Sequence, residues 1–404
     1  MAGEQRFTPG IDDSPRLRVG ILGATGCVGQ KFIKLLSGHP WFSVTALAAS
    51  ERSRGRSYGE AVRWLEPTLL PRWAARMPVG EPSPDMPCDL VFSALDAGVA
   101  QEVEPLFVAA GIPVISNASS FRNEPRVPLL VPEVNPNHLS LLGDPEPSPG
   151  SVGKAGARQG PRRGFIVTNP NCSTTGLVLA LKPLFDAFSI DRISVTTLQA
   201  VSGAGYPGVP SMDILGNVLP EIFGEEEKLE TEPLKIFGKI IGKLSGKISG
   251  PTAGPTAGPV AGQEPAQRMG SSVENASIAI SAQCNRVPVS EGHLLSVSVG
   301  CKKKVGVAEA REALEGFRSP LVELGLPSAP RLPVSYSPAP EFPQPRLHAG
   351  IEGGMAVSVG RLRECPVLDL RFVALVHNTV RGAAGGAILN AEFLRAKGYL
   401  VSRG

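Results

Sequence analysis

A chain of 404 residues has room for two domains, because single hydrophobic cores usually stop growing near roughly 250–300 residues. Its 42% hydrophobic and 19% charged residues are those of an ordinary globular protein. A formal net charge of +3, with Lys and Arg scattered along the chain, argues against a nucleic-acid or polybasic membrane surface, and no apolar run approaches the roughly 18–20 residues that cross a bilayer.

The segment Met1 to Pro15 carries acids and an early proline without an apolar core, so it reads as neither a secretory signal nor a transit peptide. The six cysteines, at 27, 88, 172, 284, 301 and 365, form no CxxC and no short regular spacing. They suit a reduced, cytosolic protein better than a disulfide framework. The five histidines do not fall at ligand spacing from them, so no metal site is expected.

In chain order, Leu17–Leu22 reads as a short buried strand, followed by a glycine loop, Gly23–Gly29, and a helix from Gln30. Phe42–Ala49 and Leu90–Leu95 are the next strands. A helix after them places Val99, Val103, Leu106 and Ala110 on one face. Pro113–Ser116 and Phe165–Thr168 continue the alternation that marks a parallel α/β sheet. After Cys172 a helix carries Leu177, Leu181, Leu184, Phe185 and Phe188 on one side. Serial strands follow at Arg192–Leu198, Ser277–Ala282, Leu294–Gly300, Ala356–Arg361 and Leu368–Val376, which suggests a mostly antiparallel second sheet. A helix over Thr379–Ala396 ends the pattern. The Gly/Pro/Ala/Ser-rich stretches 143–164 and 242–270, the second with the repeat PTAG-PTAG-PVAG, cannot bury enough apolar surface to offset their ordering entropy, so both are expected as loops.

The loop Gly23-Ala24-Thr25-Gly26-Cys27-Val28-Gly29 follows a strand and opens a helix. Glycines there let the backbone turn tightly against a pyrophosphate whose charge the helix N-terminus stabilises. After the second strand, Arg52 between Ser50 and Ser53 suits a ribose 2′-phosphate, so NADP(H) is favoured over NAD(H) despite Glu51. The plainer alternative is a solvated turn with a chance arginine.

Asn169-Pro170-Asn171-Cys172-Ser173-Thr174-Thr175 puts a cysteine at a helix start, where the N-terminus is expected to lower the thiol pKa and the thiolate to act as nucleophile. The other five cysteines read as small core residues. A base or proton donor is needed too. His293, just before a strand, leads His39, His138 and His348 only modestly on position, and His377 reads as structural.

Together these segments resemble aspartate-semialdehyde dehydrogenases, particularly the fungal and archaeal branch. The matching segments are GATGCVGQ from Gly23, SNASSFR from Ser116, VPEVNP from Val131, NPNCSTT from Asn169, LQAVSGAGYPG from Leu198, EEEK from Glu225, CNRVPVSEGH from Cys284 and HNTVRGAAGGAILNAE from His377. They span the chain from about Leu17 to its end, apart from the two Gly/Pro-rich stretches. NPNCST and RVPVxxGH in this order are specific, whereas the glycine loop alone would be weak.

The resemblance implies reductive dephosphorylation of aspartyl phosphate, in the biosynthesis of Lys, Met, Thr and Ile, with Cys172 attacking the acyl group and His293 moving the proton. It implies that Gln199 orients the thioacyl group, Arg286 grips the α-carboxylate, Glu225 accepts from the α-ammonium, and Arg122 and Lys228 hold phosphate, with Asn171 beside the substrate. Cofactor contacts are implied for Gly23, Thr25, Gly26, Cys27, Val28, Gly29, Ser50, Arg52, Ser53, Ser93, Ser202, Gly203, Gly205 and Asn378. Glu225 and Lys228 lie in a charged run that also reads as a solvated helix face, and Asn123-Glu124-Pro125 after Arg122 departs from the family pattern.

The implied fold is a Rossmann-like NADP-binding domain over 1–171, completed by a C-terminal helix over 378–404. An α+β catalytic and dimerisation domain with a mostly antiparallel sheet spans 172–377. A homodimer or homotetramer is implied, with inorganic phosphate and a small-molecule substrate as partners and neither nucleic acid nor membrane. Two rivals remain. An N-acetyl-glutamyl-phosphate or malonyl-CoA reductase would have no use for Glu225, and a non-catalytic NADP(H)-sensing protein would have no use for Cys172 and His293.

Overall fold

A computed structural model describes residues 15–145, 163–241 and 271–402. The segment before Pro15 and the stretches expected as loops, except their edges, lie outside the described residues.

The first half builds a parallel sheet from β1 (Leu17–Leu22), β2 (Phe42–Ala48), β3 (Val79–Gly80), β4 (Leu90–Ser93), β5 (Val114–Ser116) and β6 (Ile166–Thr168). The strand order is β3-β2-β1-β4-β5-β6, the doubly wound arrangement that binds nucleotides at the carboxyl ends of its strands. Val19, Ile21, Val91 and Val114 are fully buried, as central strands covered on both faces require. Helix α1 (Cys27–Leu36) begins three residues before the expected start at Gln30, because the backbone turns helical right after Gly26, inside the glycine loop. Two short helical turns, α2 (Tyr58–Ala61) and α3 (Arg72–Ala75), lie between β2 and β3.

Helix α4 (Ala97–Ala109) corrects one expectation. Val99, Leu106 and Ala110 face solvent, and the buried face is Ala100, Glu104 and Phe107. Phe107 is the bulkiest apolar group available, and its face also carries Glu104, whose buried carboxyl accepts from Ser116 Oγ at 2.6 Å. An apolar tally along the helix cannot foresee a carboxyl that is satisfied from another strand.

The second sheet contains β7 (Ile190–Ala200), β10 (Ala279–Val287), β11 (His293–Cys301), β12 (Val334–Ser337), β13 (Val357–Glu364) and β14 (Leu370–Val376), while β8 (Lys239–Ile241) and β9 (Ser272–Glu274) form a separate pair. In the order β10-β7-β11-β14-β13-β12 the three central pairings are antiparallel and the two edge pairings parallel. Helix α5 (Cys172–Phe188) lies on this sheet with Leu177, Leu181 and Leu184 fully buried. Around it are α6 (Ser211–Ile214), α7 (Glu225–Ile236), α8 (Val307–Gly316) and α9 (Pro345–His348). After β14 the chain makes a π-helical turn at Val380–Ala384 and continues as α10 (Gly385–Ala396), whose Ala387, Ile388 and Leu394 join the core formed by Val19 and Phe32.

Candidate active site

The glycine loop has the shape a dinucleotide requires. Gly23 has φ +75°, and a Cβ there would lie 2.5 Å from the Ala94 carbonyl oxygen. A Cβ on Gly29 would lie 2.3 Å from the Gly23 carbonyl oxygen, so helix and strand approach closely here. Gly26 is exposed and caps α1 without any side-chain hydrogen bond, leaving the first helical amides open to an anion. Tyr58 Oη donates to the Ala24 carbonyl at 2.9 Å and Gln30 Nε2 to the Thr25 carbonyl at 3.0 Å, which fixes the loop from behind. Thr25, Cys27 and Val28 are half-buried along it. Past β2, Ser50 and Arg52 are exposed and Ser53 is buried, and Arg52 makes no ion pair among the described residues, whereas neighbouring Arg54 pairs with Glu81. These residues fit a dinucleotide with a 2′-phosphate.

Strand register assembles the second half of the site. Arg286 on β10 pairs in parallel with Gln199 on β7, and Leu294 on β11 opposes Leu198, so Arg286, Gln199 and His293 meet at the same strand ends. All three are at most 5% exposed. The start of α5 faces them. Asn171 caps that helix, its Oδ1 accepting from the amides of Ser173 at 2.9 Å and Thr174 at 3.3 Å. Gly382 in the π-helical turn completes the enclosure: a Cβ there would sit 2.5 Å from the Cys172 Cβ.

The electrostatics overturn the expectation of an acidified thiol. Burial first, and the Glu225 carboxylate second, push the Cys172 thiol up to about 12, outweighing Arg122, the Ser173 amide and Arg286. His293 moves the other way, down to about 3, through burial and then the Arg286 charge. Its Nδ1 accepts from the Ala200 amide at 3.1 Å, which puts the proton of the neutral ring on Nε2, a buried atom with no partner among the described residues. These shifts favour a thiol at Cys172 and a neutral imidazole at His293 whose Nε2–H can donate.

Helix α7 supplies the charged groups. Glu225 accepts from Asn171 Nδ2 at 3.0 and 2.9 Å, from Lys228 Nζ at 2.9 Å and from Gln199 Nε2 at 3.3 Å. Burial opposes its charge, but Lys228 and then Asn171 and Gln199 hold its carboxyl below the usual range. Glu225 is the buried acid of its run, so the reading of EEEK as a solvated face fails for it, while Glu226 and Glu230 accept from the main-chain amides of Cys284 and Ala282. Arg122 donates from Nη1 to Glu232 at 2.9 Å and from Nη2 to the Asn117 carbonyl at 2.7 Å. Arg122, Lys228, Ser119, Asn123 and Phe223 line one surface cavity.

Not every expected cofactor residue opens onto the cleft. The Ser93 hydroxyl is fully buried, and its carbonyl accepts from the Asn117 amide. Asn378 donates to Ser202 Oγ at 2.8 Å and accepts from the Gly292 amide at 2.9 Å, so it braces the loop before His293. Gly203 packs against Arg286 and His293, and Gly205 has φ +73° in the exposed turn beyond it. Of the other histidines, His377 pairs with Glu291 at 3.1 Å, His39 with Glu392 at 2.8 Å, and His138 is buried on Asn135. Cys88, Cys284 and Cys301 are buried, whereas Cys27 and Cys365 keep partial exposure. No helix among the described residues is long and apolar enough to cross a membrane.

Comparison with known proteins gives consistent matches over this whole arrangement. Residues 18–142 match the family model for the semialdehyde dehydrogenase NAD-binding domain, and residues 181–245 and 263–381 match that for the semialdehyde dehydrogenase dimerisation domain. The chain is 45% identical over 382 residues to the aspartate-semialdehyde dehydrogenase of Methanothermobacter thermautotrophicus, covering 94% of this chain and 99% of that protein. It is 44% identical over 393 residues to the enzyme of that name from Cryptococcus neoformans, covering 96% and 99%. Among solved structures, the Candida albicans aspartate-semialdehyde dehydrogenase with NADP superposes with a TM-score of 0.80 at 40% identity, covering 96% of this chain and all of that one.

Proposed function

The chain belongs to the aspartate-semialdehyde dehydrogenase family, and from that premise we propose how its residues divide the work. The reaction is the NADPH-dependent conversion of L-aspartyl-4-phosphate to L-aspartate 4-semialdehyde and phosphate, a step of amino-acid biosynthesis. Cys172 Sγ bonds to the acyl carbon as the carbon–oxygen bond to phosphate breaks, and the thiol proton leaves on the phosphate, giving a thioacyl group on the enzyme. When bound, NADPH supplies the hydride that reduces this thioacyl carbonyl. The His293 Nε2–H donates to the carbonyl oxygen as it gains negative charge, and Gln199 orients the acyl group. As the tetrahedral carbon collapses, its C–S bond breaks, the semialdehyde leaves and sulfur takes up one proton supplied from solvent.

Arg286 presents the planar fork for the substrate's α-carboxylate and Glu225 accepts from its α-ammonium, while Arg122 and Lys228 take the phosphate. An ammonium on Glu225 also offsets the carboxylate that, second to burial, raises the Cys172 thiol. The glycine loop 23–29, Ser50, Arg52 and Ser53 hold the cofactor, and Gly203 and Gly205 face both ligands.

One observation supports this reading: the ends of β7 and β10, the start of β11 and the starts of α5 and α7 bring Gln199, Arg286, His293, Asn171 and Glu225 together beside Cys172. The acyl-reductase rivals have no group for Glu225 to receive. The test is phosphate-dependent reduction of NADP by aspartate semialdehyde, compared with N-acetylglutamate and malonate semialdehydes. Aspartate semialdehyde is expected to lead by at least about a hundredfold in kcat/KM, the scale of leaving a buried charged partner unpaired. A rival substrate within a few-fold would overturn the assignment.

The cofactor domain comprises 1–171 with 378–404, and the catalytic and dimerisation domain 172–377. Exposed Met212, Leu215, Val218 and Phe223 support a homodimer or homotetramer, in agreement with the dimerisation-domain match. Free cysteines and metabolic relatives support a cytosolic setting.

A further inference from the structure

The buried face of α7 continues beyond the groups assigned to substrate. Four and seven residues after Lys228 come Glu232 and Lys235, 3% and 6% exposed, and residues at this spacing share a helix face. Glu232 Oε1 accepts from Arg122 Nη1 at 2.9 Å and Oε2 from the main-chain amide of Asn171 at 2.7 Å. Lys235 Nζ donates to the carbonyls of Arg122, Glu124 and Val127 at 2.6, 2.7 and 2.8 Å, fastening the departing Asn123-Glu124-Pro125 segment to the same helix.

We propose that Glu232 is a positioning residue of the reaction, a single buried carboxylate that sets the guanidinium receiving phosphate and the peptide nitrogen next to the nucleophile in register with each other. The proposal rests on the roles given above to Arg122 and Cys172. Two donors converge on Glu232, and a carboxylate offers each its own acceptor oxygen. An amide of the same shape has one oxygen, so it leaves one donor facing another donor. Asn171 is thereby held at its amide by Glu232, at Nδ2 by Glu225 and at Oδ1 by the turn it caps, which leaves Cys172 little freedom. Arg122 is held at Nη1 and Nη2, so the direction of its fork is set, and its buried Nε has no partner among the described residues.

The sign of the effect separates positioning from simple electrostatics. Glu232 is an anion behind a phosphate-binding cation, so if it acted only through charge, removing that charge would tighten phosphate. Positioning predicts the reverse. In the NADP-reducing direction, with phosphate, semialdehyde and NADP varied separately, Glu232→Gln is expected to raise the phosphate KM roughly tenfold to a hundredfold and to lower kcat, the range for one lost charged hydrogen bond. The NADP KM stays within about threefold, because no cofactor group is touched. In an Arg122→Ala background, Glu232→Gln adds little further to the phosphate KM, since the two act as one unit. If Glu232→Gln does not yield folded protein, Glu232→Asp, which draws both oxygens back by one methylene, is expected to raise the phosphate KM severalfold. An unchanged or lowered phosphate KM in the variant that folds, or full additivity with Arg122→Ala, overturns the proposal. If Arg122→Ala alone leaves the phosphate KM untouched, the role of Arg122 itself fails, a distinct result.

Discussion

Adding one methyl group at Gly203 probes the substrate side of the site without replacing a charged residue. Gly203 lies in the turn Val201–Ala204 at a φ any residue adopts, so alanine meets no backbone penalty there. The new Cβ would stand 2.8 Å from Arg286 Nη1 and 3.1 Å from both Cε1 and Nε2 of His293. His293 is pinned through Nδ1 by the Ala200 amide, so the relief must come from the Arg286 head group, whose Nη1 donates to the Ala200 carbonyl at 2.8 Å. Losing that charged hydrogen bond costs about 1.5–3 kcal/mol. If the fork leaves its carboxylate position with it, kcat/KM for aspartate semialdehyde falls about tenfold to a hundredfold. Steady-state kinetics with each substrate varied in turn, on protein whose melting is unchanged, reads this directly. A pure cofactor contact at Gly203 predicts a different split, with the NADP KM raised and the semialdehyde terms intact. A semialdehyde kcat/KM within about twofold of wild type would refute the steric reasoning.

Two further tests address the thiol and the cofactor. Because the Cys172 thiol is pushed up to about 12, its alkylation by iodoacetamide, followed at that residue by mass spectrometry, should keep climbing with pH and show no plateau below pH 9. Glu225→Gln removes the anion that raises the thiol and should speed the reaction at pH 8, whereas a plateau near neutrality or a slower variant contradicts this account. Arg52→Ala should raise the NADP KM by roughly tenfold or more while leaving the NAD KM nearly unchanged, the scale of a lost charged hydrogen bond. An unchanged NADP KM would leave Arg52 a solvated bystander.

What was legible in the sequence was whatever local periodicity and glycine chemistry dictate. β1, the glycine loop and α1 follow from an apolar run meeting residues that tolerate tight turns, and only the first turn of α1 was placed late. α5 was legible because its apolar spacing persists over many turns. β12 was missed because its four residues, Val334–Ser337, are bracketed by Pro333 and Pro338 and resemble a loop, and α8 because its face buries only Ala310 and Leu314. At the site, Cys172 and His293 stood out, but the direction of the thiol shift did not. A helix start acidifies a cysteine only if nothing nearby opposes it, and Glu225 comes from a helix more than 50 residues away in the chain.

The same distance explains why α7 was read only in part. Its sequence is polar on most sides, and a polar helix ordinarily reads as a solvated one. The spacing of Glu225, Lys228, Glu232 and Lys235 was the available signal, since charges three or four apart along one face have either water or a buried partner to meet. Here they meet partners. Glu225 and Lys228 bind each other, so the ammonium and phosphate proposed for them would exchange into an ion pair already present. Among the described residues Glu232 and Lys235 bind other protein groups, the first beside Cys172 and the second along the segment after Arg122. One helix face thus joins the groups that receive substrate to those that hold the nucleophile. That arrangement would let a substrate charge at Glu225 act on the Cys172 thiol, which burial first and the Glu225 carboxylate second push up.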